Sequence, residues 1–108
     1  MKISEVWLAK FPLEEGNEYI KRPAIILDID ELLVLSVKVT KHEPRQFDNY
    51  DLPILYWQEA HLRMASTARI SKVISIQKDD FVHKIGDLHP IDFDKVKAQY
   101  IKYLSESI

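Results

Sequence analysis

Histidine is the side chain best suited to proton transfer at neutral pH, and the chain holds four, His42, His61, His83 and His89. None stands in an H-E-x-x-H or other paired ligand spacing, so no metal site is expected. With no cysteine in the sequence, thiolate metal centres, disulfides and cysteine nucleophiles are excluded as well. Chemistry must therefore use oxygen, imidazole or guanidinium groups. Arg22 precedes Pro23 at the opening of an apolar segment, which places a guanidinium at the edge of a sheet; its planar fork of donors suits phosphate oxygens. Alone, such an arginine is an ordinary solvated strand end. Lys21, Lys38, Lys41, Arg45, Arg69 and Lys72 add further cations, and Lys38 and Lys41 flank Thr40. If a sheet brings these strand ends together they form a basic groove, although the formal net charge is −2. His42 follows Lys41 in a polar segment shared with Arg45, whereas His61, His83 and His89 read as surface or cap histidines. Glu14, Glu15 and Glu18 are an acidic cluster of the kind that is usually solvated; beside a cationic groove one of them could act as a general base. Trp7 and Phe11 belong in a core, while Phe47 and Tyr50, in a polar segment, offer stacking faces for single-stranded bases.

The elements that must position these groups are mostly strands. Residues 5–11, 23–29 and 32–40 are rich in β-branched and aliphatic residues and are bounded by turn or charged residues. In the third segment Leu33, Leu35, Val37 and Val39 alternate with Ser36, Lys38 and Thr40, so the apolar set is expected to face a core. Asp30-Glu31 is short enough to join the second and third strands as a hairpin. Pairing about it would set Arg22 near Lys38–Thr40 although they are far apart in sequence. Residues 41–51 lack periodicity and read as a long loop, residues 55–62 as a short helix, and residues 66–76 as another strand. From Pro90 onward Phe93, Val96, Tyr100, Tyr103 and Leu104 recur at helical spacing, with Pro90 suited to the first turn. The expected fold is a mostly β small barrel with a C-terminal helix.

A length of 108 residues suits a single domain, 1–108, and a hydrophobic share of 46% with 30% charged residues contradicts a disordered chain. The longest apolar runs fall far short of the ~20 residues that span a bilayer, and the start of the chain lacks a signal-peptide pattern. No membrane association and a cytoplasmic location are expected. The apolar surface of the helix and sheet together predicts a homodimer.

The segments Glu5-Val6-Trp7-Leu8-Ala9-Lys10-Phe11, Gly16-Asn17-Glu18, Lys21-Arg22-Pro23-Ala24-Ile25-Ile26-Leu27 and Val37-Lys38-Val39-Thr40, in this order and spacing, resemble the MazF/PemK family of toxin endoribonucleases. Residues 66–76 and Lys84-Ile85-Gly86-Asp87-Leu88 look like the same family's C-terminal half. The resemblance implies a mainly β, SH3-like small barrel with a short connecting helix and a C-terminal α-helix. It also implies a homodimer, cofactor-free and metal-independent cleavage of single-stranded RNA such as mRNA at short sequences, and a cognate antitoxin that occupies the RNA groove. Position by position, the family's Arg-Pro arginine falls on Arg22, its strand-end threonine on Thr40 and its first-loop glutamate on Glu18. Lys21, Lys38, His42, Arg45, Phe47, Tyr50 and Arg69 are the expected RNA contacts. Two positions depart from the pattern: Ser4-Glu5 replaces the usual Gly-Asp, and Ile74 stands where many members carry an arginine, a duty for which Arg69 is the substitute candidate. The implied route is attack of an RNA 2′-OH on its own 3′ phosphate, with Arg22 on the phosphate, Thr40 donating to it, and Glu18 or His42 moving protons. A non-catalytic RNA- or protein-binding barrel and a gyrase-poisoning toxin are the alternatives.

Overall fold

The computed structural model describes residues 1–13 and 16–107. Among the described residues six strands, one short 3-10 turn (Lys78–Asp80) and one α-helix follow along the chain: β1 (Glu5–Pro12), β2 (Tyr19–Ile29), β3 (Leu33–Thr40), β4 (Leu52–Pro53), β5 (Thr67–Gln77), β6 (Phe81–Asp87) and α1 (Pro90–Glu106). They form one antiparallel sheet in the order β4-β5-β3-β2-β1-β6. The fold is thus mainly β with a C-terminal helix, as expected. Its sheet is open rather than a closed barrel, with β4 and β6 as the edges.

Both faces of the sheet carry buried apolar residues. Residues directly opposite one another on neighbouring strands share a face, so the pairs Val6↔Ile25 and Ile25↔Val37 carry one apolar row through β1, β2 and β3. That row joins Val39, Ala68 and Ile70 beneath Phe93 and Val96 of α1 and Ile54 and Leu62 of the segment around β4. On the other face Ala9, Phe11, Ala24 and Ile76 pack with Ile20, Ile74 and Phe81. Burial on both sides explains the unbroken run Ala24-Ile25-Ile26, which a one-faced strand would interrupt with polar residues.

The alternation expected of β3 holds for Val37 and Val39 and fails at its start. Leu33 is 43% exposed, whereas Val34 and Ser36 are fully buried. The physical reason is a pair of register shifts. One lies between Ile26 and Asp28 of β2, and the other lets residues 70–73 of β5 stand opposite Val37 alone. Such bulges bend and twist a strand and re-aim the side chains beyond them.

Pro90 occupies the first turn of α1, and Nδ1 of His89 accepts from the Ile91 N–H at 3.1 Å. Phe93, Val96, Tyr100 and Tyr103 face the core, while Leu104, expected on the same stripe, is 48% exposed. The short helix expected over residues 55–62 is instead a run of turns over residues 55–61. Seven residues gain too few helical hydrogen bonds to offset nucleation, and His61 takes a left-handed φ of 61° that ends any helix. The carboxylate of Asp92, buried in α1, accepts the N–H groups of Leu55 and Tyr56 at 3.0 and 2.8 Å and fastens these turns to the helix. No helix is long and apolar enough to cross a membrane among the described residues.

Candidate functional site

Lys38 is directly opposite Ala24 of β2 on one side and Arg69 of β5 on the other, so Lys38 and Arg69 project from one face. The β2–β3 ladder ends at that Ala24↔Lys38 pair. Arg22 lies two residues beyond that end on β2, as Thr40 does on β3. Thr40 in turn is paired with Thr67, and its hydroxyl oxygen accepts from Nε of Arg69 at 3.2 Å. Burial pushes the Lys38 amine down from its usual range, and the charges of Lys72, Arg69, Arg22 and Arg45 push it further. Four further cations therefore share one electrostatic field with Lys38, two residues from Thr40, on a chain that is acidic as a whole.

Two aspartates hold part of this array. The Asp51 side chain is fully buried, and its Oδ2 accepts from Nη1 of Arg69 at 2.8 Å and from Nε and the backbone N–H of Arg45, both at 2.9 Å. Arg45 Nη2 reaches Asp51 Oδ1 at 3.1 Å and Asp48 Oδ2 at 2.8 Å. Ser71 also donates to Asp48. Burial raises the Asp51 carboxyl, but the Arg45 bonds and the charges of Arg69 and Arg45 outweigh it and hold the group below its usual range. Asp48 and Asp51 escape sequence reasoning because residues 41–51 have no periodicity. The available signal is acids three and six positions after Arg45.

The structure places the sequence-predicted residues as follows. Arg22 is half-exposed two residues beyond the end of the β2–β3 ladder, with Nη1 donating to the Lys21 carbonyl at 2.8 Å. Lys21 lies opposite Lys10 of β1 and, one residue from Arg22, projects from the other face. His42 is exposed just beyond Thr40, its carbonyl accepting from the Thr67 hydroxyl at 2.6 Å. Phe47 is 83% exposed, and the Arg45 guanidinium lies 5.3 Å from its ring centre. Tyr50 is turned to α1 instead: its ring meets Tyr103 edge-on at 5.0 Å and its hydroxyl donates to Glu106 at 3.1 Å. Arg69 is only 7% exposed and reaches the cationic face through Thr40. Ile74 packs in the second apolar cluster. Glu18 is exposed before β2, its carbonyl accepting from the Leu13 N–H at 3.0 Å, with no side-chain contact to Arg22 or Thr40 among the described residues. Glu14 and Glu15 lie outside the described residues. No group of three His, Cys, Asp or Glu side chains could hold a metal ion among the described residues.

A cluster of cations about Lys38, one of them bonded to the Thr40 hydroxyl and another lying over an exposed aromatic ring, can bind a phosphodiester and stabilise added negative charge on it. The family model described as PemK-like, MazF-like toxin of type II toxin-antitoxin system matches residues 2–104. Among curated protein sequences none matches the chain. Its fold is similar to that of an endoribonuclease in complex with its cognate antitoxin from a mycobacterial species, with TM-score 0.71 and 14% identity over 95% of this chain and 93% of that one. A structure described as an endoribonuclease from a mycobacterial species aligns with TM-score 0.70 and 12% identity over 94% and 88% of the two chains. The Mycobacterium tuberculosis toxin MazF-mt6 aligns with TM-score 0.69 and 16% identity over 94% and 96%.

Proposed function

The chain belongs to the PemK-like, MazF-like toxin family of type II toxin–antitoxin systems, and from that premise we propose that it is a toxin endoribonuclease that cleaves single-stranded RNA at short sequences without a metal ion. The observation that supports the proposal is the gathering of Arg22, Arg45, Arg69 and Lys72 about Lys38, with Arg69 bonded to the Thr40 hydroxyl. In the proposed reaction an RNA 2′-OH attacks the adjacent 3′ phosphorus, the bond to the 5′ oxygen breaks, and a 2′,3′-cyclic phosphate and a 5′-OH result. A base takes the 2′-OH proton and an acid returns one to the leaving oxygen, so no metal is required. Arg22 binds the scissile phosphate, and the Thr40 hydroxyl donates to one of its oxygens. Glu18 or His42 carries the protons; loss of cleavage in Glu18→Gln but not His42→Gln, or the reverse, assigns the role. Lys38, Arg45 and Phe47 bind flanking nucleotides.

Single strands suit this face because exposed aromatic and cationic groups engage unstacked bases that an A-form duplex hides. A cognate antitoxin covers the same cations, a second copy of the chain completes a homodimer, and the protein acts in the cytoplasm. Ile74 in the place of a family arginine favours one alternative, a module that binds RNA without cutting it. Incubation of the purified protein with labelled single-stranded RNA in excess chelator tests the proposal: discrete cleavage supports it, and binding without cleavage supports the alternative.

A further inference from the structure

A hydroxyl group carries one proton, and whatever donates to its oxygen determines where that proton can go. Arg69 Nε is a donor only, so at 3.2 Å the Thr40 oxygen must be the acceptor. The Thr40 proton therefore points away from Arg69. Arg69 is itself unable to swing, because Nη1 is held at 2.8 Å by Asp51, whose side chain is fully buried and also holds Arg45. The local backbone is built to keep these groups in line. β4 has only two residues, yet its pair Leu52↔Ala68 docks the residue after Asp51 against the residue before Arg69. The Thr67 hydroxyl, on the His42 carbonyl at 2.6 Å, pins the chain just past Thr40.

We infer that Asp51 and Arg69 are positioning residues that turn the Thr40 hydroxyl into an outward donor for a substrate phosphate oxygen. The inference rests on the function proposed above and gives Arg69 a different task from direct phosphate contact. Its near-complete burial fits an arginine that acts through Thr40, and the ionised Asp51 supplies a fixed anchor on the far side. Nη1 and Nε of one planar guanidinium thus serve Asp51 and Thr40 at once, which a lysine ammonium cannot reproduce in the same geometry.

The test is a double-mutant cycle between Arg69→Lys, which keeps the charge and loses the fork, and Thr40→Val, which keeps the shape and loses the hydroxyl. Two quantities are read: the single-turnover cleavage rate of a labelled RNA and the affinity for its uncleavable 2′-deoxy analogue, with circular dichroism confirming each fold. Arg69→Lys is expected to slow cleavage by ~10- to 100-fold. In the Thr40→Val background it should cost less than about threefold, because the group it positions is gone. Thr40→Ser, which restores a hydroxyl, should restore the sensitivity to Arg69→Lys. Independent, multiplying effects would overturn the inference and leave the endoribonuclease reading intact. If the wild type leaves RNA whole, that reading fails, and the same cycle in affinity decides the inference: coupling supports it, and multiplying or absent effects overturn it. Should Arg69→Lys not fold, Asp51→Asn takes its place in the cycle with the same expected coupling.

Discussion

Arg22 is half-exposed two residues beyond the end of the β2–β3 ladder, and its Nη1 donates to the carbonyl of its own neighbour, Lys21. The core does not lean on it, so Arg22→Ala should abolish cleavage while changing stability by only ~0.5 kcal/mol, the range of ordinary surface substitutions. Arg22→Lys should recover part of the rate, since one ammonium replaces a two-pronged phosphate contact. Matched measurements of rate and thermal midpoint check both; a folded Arg22→Ala protein with the wild-type rate contradicts the assignment. Glu5 is the opposite kind of residue, a charge that serves the fold. It is 7% exposed and accepts from the Trp7 indole at 3.0 Å, the Lys2 backbone N–H at 2.8 Å and the Lys84 ammonium at 2.9 Å. Burial pushes its carboxyl up, yet these bonds together win and bring its pKa from 4.5 down to about 2. The unfolded chain therefore binds a proton at Glu5 more readily than the folded one. The resulting stabilisation is complete above pH 4.5 and is lost as the pH falls through about 2. Glu5→Gln should flatten the fall in unfolding midpoint across that window; an unchanged acid limb would show that Glu5 does not govern it.

At the scale of the elements, β6 is held against the turns of residues 55–61 by a close approach at Gly86. A Cβ there would lie 2.3 Å from the Ala60 carbonyl oxygen and 2.8 Å from its carbon, both backbone atoms that cannot rotate aside. Gly86→Ala should destabilise the protein by ~1–3 kcal/mol or more through forced separation of edge strand and turns, measured as a shift in denaturant midpoint. A wild-type midpoint would contradict this close packing. The strands with buried faces, β1, β2, β3 and β5, and helix α1 are the elements that the sequence makes legible, because burial writes a period of 2.0 or 3.6 into it. β6, Phe-Val-His-Lys-Ile-Gly-Asp, is an edge strand with only Gly86 buried, so no apolar alternation marks it. The two residues of β4 are too few to show any pattern. In the candidate site, the nearness of Arg22 to Lys38–Thr40 follows from counting register across one hairpin. The hold of Asp51 on Arg69 joins residues 18 apart through the β4–β5 pairing. Tertiary contacts of that kind leave no local periodicity to read.

Across the whole molecule the charges are unevenly placed: 17 acids outnumber 15 Lys and Arg, yet Lys38 feels the charges of Lys72, Arg69, Arg22 and Arg45. Burial and then repulsion from these cations lower the Lys38 amine, and a bound polyanion should relieve the repulsion. Single-stranded 2′-deoxy oligonucleotide is accordingly expected to raise the thermal midpoint, with an affinity that falls steeply as salt rises. An affinity indifferent to salt would deny the cations a part in binding. Exposed apolar side chains, among them Ile101 at 65% and Leu104 at 48% on α1, accord with a homodimer, which light scattering at micromolar concentration should show. A monomeric mass would count against it. Whether the proposed cationic face cuts RNA is decided by mixing the protein with an end-labelled single-stranded RNA in excess chelator, alongside folded Arg22→Ala. Discrete fragments ending in 2′,3′-cyclic phosphate with the wild type, and intact RNA with the variant, are the predicted result. Intact RNA with both proteins, or equal cleavage by both, would contradict it.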